Sequence, residues 1–248
     1  MKLLLGLLAV SMALKLGVMV RERLSPPSSP RFAEVQKRLH HTLQNECATR
    51  SLTLGAPLFI RIFKESKELE LWLEEGPGRS FRLLKSYTVA TWGSGTLGPK
   101  LREGDGQAPE GFYSVAAGQM NPNSTFHLSF NIGYPNAYDR AHECTGSFIM
   151  VHGDAASAGC FAMTNERIEE IYTLADAALR AGQRSFDVHI FPFRMTPQRL
   201  AGAEGSQWFD FWQNLEQGYQ LFEKTKRPPL VQVRDMRYLF VEREILNR

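Results

Sequence analysis

The stretch Phe148-Ile-Met-Val-His-Gly-Asp-Ala-Ala-Ser-Ala-Gly-Cys-Phe-Ala-Met163 decides both the fold and the chemistry expected of this chain. Its apolar residues 147–151 predict a strand that delivers His152 at its end, and Cys160 returns eight residues later. A thiol with an ordinary pKa of about 8.5 is a weak nucleophile, so it needs a nearby base or another source of thiolate stabilisation. The pattern therefore favours Cys160 as a nucleophile and His152 as its base.

Two glycines flank this pair and leave the backbone unobstructed. A backbone carbonyl is then able to orient the imidazole, and amides near Cys160 are able to hold an oxyanion. A buried structural cysteine near a core histidine is the alternative interpretation. The flanking glycines count against it.

Outward from this stretch, the pattern predicts an α+β fold with a mainly β core and flanking helices. Apolar residues at helical spacing predict helices at 31–46, from the cap Thr164 to Gly182, and from Trp208 to Phe222. Strands are predicted at 58–63, 69–73, 86–92, 112–116, 125–132, 147–151 and 187–193, with a last strand at 230–240.

The chain divides into three parts. Residues 1–23 carry Lys2, an apolar run and Lys15, which predicts a signal peptide or an N-terminal anchor. The run is short for a membrane span and no small-x-small cleavage site stands out, so an uncleaved inner-membrane tether is the alternative to export. Residues 24–30 are a Pro/Ser linker, and residues 31–248 form the predicted catalytic domain, with its core at about 57–196.

Net charge and cysteine content indicate which partners and which disulfides to expect. The formal net charge is only +3 and the basic residues are spread along the chain, so nucleic acid is not expected as a partner. Three cysteines, Cys47, Cys144 and Cys160, are an odd count for an exported chain. An odd count is consistent with one disulfide plus a free thiol, or with three free thiols. The first option predicts a Cys47–Cys144 disulfide.

Two other motifs fail on context. Gly93-Ser-Gly-Thr-Leu-Gly98 matches a dinucleotide fingerprint by letter, but Pro99 and further loop residues follow where a helix must begin. His142, Cys144, His152 and Cys160 offer zinc-binding atoms at spacings that fit no usual zinc site. We expect neither a metal nor an organic cofactor.

The decisive residues resemble the L,D-transpeptidase catalytic domain (YkuD-like) family, whose signature is His-Gly, a spacer and Ser/Thr-His-Gly-Cys. His152-Gly153 and Ser157-Ala-Gly-Cys160 match its two halves. The phrase Gly-Cys-Phe-Ala-Met is most similar to the YafK-like branch, as are the segments 104–113, 130–140 and 187–195. Ala158 departs from the usual histidine, and Phe161-Ala-Met163 stands where an arginine is common.

The resemblance implies a cysteine-dependent enzyme that modifies peptidoglycan at meso-diaminopimelate peptide links, in the periplasm or cell envelope of a Gram-negative bacterium. It implies Cys160 as nucleophile, His152 as base and the Gly153 carbonyl as the group that orients the base. It also implies that amides near Gly159 and Cys160 stabilise the oxyanion. Hydrolytic release of a Braun-type lipoprotein is the expected outcome. Alternatives are transpeptidation, which forms cross-links or anchors protein, and a wall-binding scaffold without turnover.

Candidate substrate contacts come from the same stretch and from two branch-typical segments. Peptidoglycan peptides carry carboxylates, which suits a polar segment with aromatic neighbours. The candidates are Ser157, Tyr134, Asn136, Asp139, Arg140 and His189.

Overall fold

The computed structural model describes residues 25–243 and confirms the α+β class. Two five-stranded sheets and a two-stranded hairpin are flanked by helices, so the core is mainly β, as expected. The predicted leader at 1–23 lies outside the described residues. Among residues 25–243, no helix is long and apolar enough to cross a membrane.

Helix α1, Pro30–Thr49, confirms the first predicted helix. Ser29 caps it by accepting from the Phe32 amide, and the Ser29 hydroxyl also donates to the Pro122 carbonyl at 3.0 Å. Earlier in the predicted linker, Pro26 is buried and its carbonyl accepts from Arg180 Nη2 at 2.9 Å. The described part of the linker is therefore held against the domain.

The first sheet has the order β3-β2-β1-β10-β5, where β1 is Leu58–Phe63, β2 Glu68–Glu74, β3 Phe81–Thr88, β5 Gly111–Ala116 and β10 Ser185–Phe191. The β1–β2 hairpin was predicted. The parallel pairing of β1 with β10 was not, because it joins segments more than a hundred residues apart. Every residue of β1 is buried, as a strand covered on both faces requires.

The second sheet has the order β4-β9-β8-β7-β6, built from very short strands: β4 Thr91–Trp92, β6 Met120–Asn121, β7 Ser129–Asn131, β8 Met150–His152 and β9 Phe161–Ala162. Three sequence predictions were wrong in their bounds here. The 86–92 strand is two strands, because the chain leaves the first sheet after Thr88 and enters the second at Thr91. The 125–132 and 147–151 strands start late, because His127 and Phe148 have positive φ angles of 70° and 55°.

Helix α3, Asn165–Arg180, lies against both sheets, and helix α2, Ala137–Ala141, is a single short turn after β7. Thr164 stands at the predicted N-cap, but its side chain does not cap the helix; its hydroxyl donates to Glu166 instead, at 2.9 Å. The chain turns after α3 at Gly182, where φ is +113°.

Helices α4, Pro197–Ala201, and α5, Phe209–Thr225, follow β10, and the aromatic stripe of α5 packs into a core as predicted. The last predicted strand is a hairpin of β11, Leu230–Arg234, and β12, Arg237–Val241. Asp235 and Met236 both have positive φ, 51° and 58°, which is the geometry of a tight two-residue hairpin turn.

A buried ion pair holds the 98–110 loop to the core. Lys64 and Glu110 are both fully buried and lie 2.8 Å apart. The Lys64 ammonium also donates to the carbonyls of Gly98 and Ala108, and Glu110 accepts from the Trp212 indole of α5 at 2.8 Å. Burial lowers the pKa of Lys64, while Glu110 opposes that shift. The pair thus joins β1, the loop and α5 in one polar cluster.

We predict that Lys64→Met lowers the free energy of unfolding by about 3 to 5 kcal/mol, because it leaves the Glu110 carboxylate buried without its cation. Urea unfolding measures this, with Lys37→Met on the exposed face of α1 as the control. The double variant Lys64→Met/Glu110→Gln should regain part of the loss. A change below about 1 kcal/mol in Lys64→Met would contradict the assigned role.

Candidate active site

The parallel pairing of β8 with β9 places Cys160, the residue just before β9, near the strand that carries His152. Val151 pairs with Phe161 and His152 with Ala162. Cys160 therefore lies one residue before the first paired residue of β9, opposite Met150. The Met150 amide donates to Cys160 Sγ at 3.2 Å, and the sulfur also lies 3.6 Å from the Phe148 carbonyl. The thiol is therefore held by backbone groups just before β9, which is an interior strand of the second sheet.

His152 is held in one tautomer by the next residue. Its Nδ1 lies 2.5 Å from the carbonyl oxygen of Gly153. Because a carbonyl only accepts, Nδ1 carries the proton and Nε2 is left with a free lone pair. The ring is almost fully buried and lies against Phe126, with centroids 4.8 Å apart. Burial lowers the pKa of His152, so the imidazole is neutral and available as a base near pH 7.

Gly153 is required by close packing. A Cβ there would lie 2.6 Å from Asn165 Oδ1 and 2.8 Å from the Phe126 carbonyl. Asn165, the first residue of α3, accepts from the Asp154 amide at 2.9 Å and so ties the loop after His152 to the helix. Any larger residue at 153 would displace the carbonyl that orients the imidazole.

The candidate oxyanion donors sit in a turn that Ser157 organises. Its hydroxyl donates to the Cys160 carbonyl at 2.7 Å and accepts from the Gly159 amide at 3.3 Å. Gly159 has a φ of +155°, and a Cβ there would lie 3.3 Å from the Gln107 carbonyl. Since the Gly159 amide is already engaged, the Cys160 amide is the more available donor for an oxyanion.

Cys160 and His152 line one cleft of about 320 Å³. Phe126 and Phe148, exposed by 47% and 74%, stand at its border. Exposed aromatic rings at the border of a cleft suit contact with a ligand, because burying them is favourable. The other lining residues come from three segments of the chain: Lys100, Glu103, Gly104, Gly106, Gly146, Ser147, Ile149, Ala156, Ser157, Ala158 and Gly159.

Lys100 supplies the positive charge in this cleft. It is 5% exposed, and its ammonium donates to Asp105 at 2.6 Å and to the Arg102 carbonyl at 2.7 Å. Burial raises the pKa of the Cys160 thiol, whereas the Met150 amide and the Lys100 charge lower it. The net direction is upward, so the resting pair is a neutral thiol and a neutral imidazole, and the proton must move when the thiol attacks.

The structure brings together only part of the predicted site. Of the six candidate substrate contacts, Ser157 alone lines the cleft. Tyr134 is buried and its hydroxyl lies 3.2 Å from the carbonyls of both Lys100 and Thr145. Asn136 and Asp139 form the capping box of α2. These three side chains support the loops around the cleft.

Arg140 and His189 lie on another cavity together with Asn136. Arg140 is exposed and donates to the Pro135 carbonyl. His189 is buried between the rings of Phe59 and Phe112, each 4.6 Å away, and burial lowers its pKa well below the usual value. His189 is therefore a neutral core residue at the floor of that cavity.

The expected Cys47–Cys144 disulfide is absent, since all three cysteines are free. Cys47 is buried in the main core under α1, where burial raises its pKa to about 11, whereas the Cys144 sulfur lies near the His142 carbonyl, in the segment after α2. Within residues 25–243, no three His, Cys, Asp or Glu side chains form a group able to hold a metal ion.

The family model of the L,D-transpeptidase catalytic domain (YkuD) matches residues 60–190, more than half of the chain. This chain belongs to that family. It is also 47% identical over 186 residues to the protein named "Putative L,D-transpeptidase YafK" of Escherichia coli K12, covering 75% of this chain and 74% of that protein. The same protein in Escherichia coli O157:H7 matches equally. The recognition made from residues 148–163 is confirmed, and peptidoglycan peptides are the substrates that the family implies.

Solved structures with a similar fold include the helical cell shape determining protein Pgp2 of Campylobacter jejuni and Bd1075 of Bdellovibrio bacteriovorus. Pgp2 is 17% identical with a TM-score of 0.44, covering 77% of this chain and 80% of its own. Bd1075 is 18% identical with a TM-score of 0.39, covering 73% and 78%.

Sequence reasoning missed Lys100, Phe126 and Asn165. Lys100 lies in a Gly/Pro-rich segment whose sequence predicts only a loop. Its burial depends on the ion pair with Asp105, which the sequence pattern does not reveal. Asn165 was hidden within a predicted helix start. The one available sequence signal for a site residue was Lys100, close to the glycine-rich residues 104–106.

We predict that the acid limb of the pH profile of kcat/KM has its midpoint below 6.5, because burial lowers the pKa of His152 and keeps the base unprotonated at lower pH. Phe126→Ala should move this midpoint upward, since it exposes the imidazole to water. Initial rates on a soluble muropeptide between pH 4.5 and 8 measure both. A wild-type midpoint above 6.5 would contradict the assignment.

We further predict that Lys100→Met slows alkylation of Cys160 by iodoacetamide at pH 7.5 by roughly 3- to 10-fold, because loss of the nearby cation raises the thiol pKa. Arg102→Met, an exposed cation of the same loop, is the matched control and should leave the rate unchanged. Equal rates in the wild type and Lys100→Met would exclude an electrostatic role for Lys100.

Proposed function

We propose that this protein is a cysteine enzyme of the cell envelope that cleaves peptidoglycan peptides at meso-diaminopimelate links and releases a covalently attached Braun-type lipoprotein by hydrolysis. The observation that carries the proposal is the constrained pair in one cleft: Cys160 is held by backbone groups just before β9, and His152 is held with Nε2 free. Neither role needs a metal or an organic cofactor.

In the acylation step, His152 Nε2 takes the thiol proton as Cys160 Sγ attacks the carbonyl carbon next to meso-diaminopimelate. The negative charge passes to the carbonyl oxygen, which the Cys160 amide, and the Gly159 amide after it leaves Ser157, would stabilise. The imidazolium then returns its proton to the leaving amine as the C–N bond breaks. A thioester on Cys160 results.

In the second step an acceptor attacks the thioester carbonyl, gives its proton to His152 and restores the thiol. Water gives hydrolysis, and an amine gives a cross-link or an anchored protein. Ala158 and Phe161 replace the histidine and the arginine that could grip a second peptide strand. Loss of a planar, multi-donor arginine weakens the hold on a bulky carboxylate-bearing acceptor more than it hinders water. This difference favours hydrolysis over transpeptidation.

The proposal places the protein in the periplasm of a Gram-negative bacterium, with residues 1–23 as export signal or inner-membrane tether. The rival class is a wall-binding scaffold with no turnover. A scaffold has no need of a thiol that shares a cleft with a histidine whose Nε2 is free to take its proton, so the arrangement of Cys160 and His152 favours the enzyme.

We predict that Cys160→Ala abolishes turnover of peptidoglycan fragments while the thermal midpoint of unfolding stays close to that of the wild type. Cys144→Ala is the matched control, since it removes a half-buried thiol outside the cleft and should retain full activity. Full activity in Cys160→Ala would overturn the assignment of the nucleophile. No turnover by the wild type on any fragment would favour the scaffold.

The balance between hydrolysis and transfer is tested with two substrates followed by mass spectrometry. One is a muropeptide that carries a lipoprotein-derived lysine, and the other is a mixture of tetrapeptide muropeptides. We expect release of the lysine-containing peptide with uptake of one water and little dimer. Rapid dimer formation with the lysine link untouched would restore the transpeptidase interpretation.

A further inference from the structure

A second concavity, of about 370 Å³, is lined by four arginines. We call it the arginine groove and define it by Arg79, Arg184, Arg227 and Arg243. It lies where β1, β3 and β10 begin, because Leu58, Phe81 and Ser185 also line it. None of its lining residues belongs to the cleft of Cys160.

Three of these guanidinium groups are unpaired. Within residues 25–243, Arg79, Arg184 and Arg227 form no side-chain hydrogen bond and no ion pair, and only Arg243 is paired, with Asp187 at 3.0 Å. Besides Asp187, Glu74 is the one carboxylate among the lining residues of the groove. Four cations facing two carboxylates leave a positive excess, and unpaired guanidinium forks are well suited to bind phosphate oxygens.

The groove and the catalytic cleft lie at opposite ends of α3. At its first residue, Asn165 binds the Asp154 amide next to His152 and Gly153. The helix has 16 residues and is therefore about 24 Å long. Beyond its other end, Gln183 donates to the Leu58 carbonyl at 2.9 Å, and both residues line the groove.

The N-terminal leader joins the domain at the same end as the groove. Arg180, the last residue of α3, donates to the carbonyl of Pro26 at 2.9 Å. The described chain therefore starts at the end of α3 that carries the groove, and the predicted signal peptide or membrane anchor, residues 1–23, precedes this point in the sequence. A retained anchor would bring this end of the domain close to lipid headgroups.

We propose that the arginine groove binds the phosphate groups of anionic phospholipids in the membrane that holds the leader, and thereby directs the cleft away from that membrane, toward the wall. Arg79, Arg184 and Arg227 grip the phosphate, while Arg243 stays with Asp187. This function is separate from catalysis, because no residue of the groove touches the reacting groups.

Vesicle binding of the full chain tests the proposal. Vesicles of phosphatidylcholine alone and with 30% phosphatidylglycerol are compared by co-sedimentation for the wild type, for R79Q/R184Q/R227Q and for K37Q/R234Q/R237Q. The last variant removes the same charge from exposed positions outside the groove. All three proteins carry the same leader, so the leader contributes equally. We expect partition onto anionic vesicles to weaken by about tenfold or more only in the groove variant.

Three further readouts separate the alternatives. Turnover of a soluble muropeptide should be unchanged in the groove variant, so loss of catalysis and loss of lipid binding are distinguishable. Equal weakening in the groove variant and its control would overturn the site. If millimolar inorganic phosphate displaces the wild type from both kinds of vesicle, the groove binds free phosphate. If the wild type binds a muropeptide tightly and only the groove variant loses this binding, the groove binds an acidic peptide. Either result overturns the lipid assignment.

Discussion

The parallel pairing of β8 with β9 is the constraint on which the functional part of this molecule depends. A two-residue strand starting at Phe161 has little stability of its own, yet its register against Val151 and His152 fixes where Cys160 stands. A slip of one residue would turn the thiol to the other face of the sheet, because side chains alternate along a strand. The position of Cys160 relative to His152 is thus a consequence of sheet register.

Loops that carry the rest of the site are held by buried polar groups. Lys64 and Glu110 fasten the loop that contains Lys100 and Asp105, and Tyr134 ties Lys100 to the segment after α2. Burying an ion pair adds little net stability compared with apolar packing, but it penalises other arrangements of the same loop. We interpret the Lys64–Glu110 cluster as the source of a single loop conformation around the thiol.

The local elements were predictable because their signals are local. The amphipathic pattern of α1, the β1–β2 hairpin and the pair His152 and Cys160 all follow from residues close in sequence. The crossing between sheets after Thr88, and the union of β1 with β10, depend on packing between distant segments and leave no such pattern. The tight turn at Asp235 was also hidden, because aspartate-methionine is not a common hairpin pair.

The predicted substrate contacts show the same limit. Asn136 and Asp139 were chosen for their polarity, but their side chains bond to each other's backbone in a capping box and to Phe112, Tyr238 and Tyr113 in the core. Lys100 was passed over as a loop residue, although it is buried, pairs with Asp105 and lines the same cleft as the thiol. The polarity of a residue does not reveal whether its side chain hydrogen-bonds to the protein backbone or to a ligand, since both interactions use the same atoms.

The central claim is that Cys160 forms a thioester with a peptidoglycan peptide. The most direct measurement is intact-mass and peptide-level mass spectrometry of the protein quenched with acid during turnover of a tetrapeptide muropeptide. A single acyl adduct on the peptide that contains Cys160, labile to hydroxylamine and greatly reduced in His152→Ala, is the predicted result. Turnover that proceeds with an adduct on Cys47 or Cys144, or with hydroxylamine-stable modification elsewhere, would contradict it.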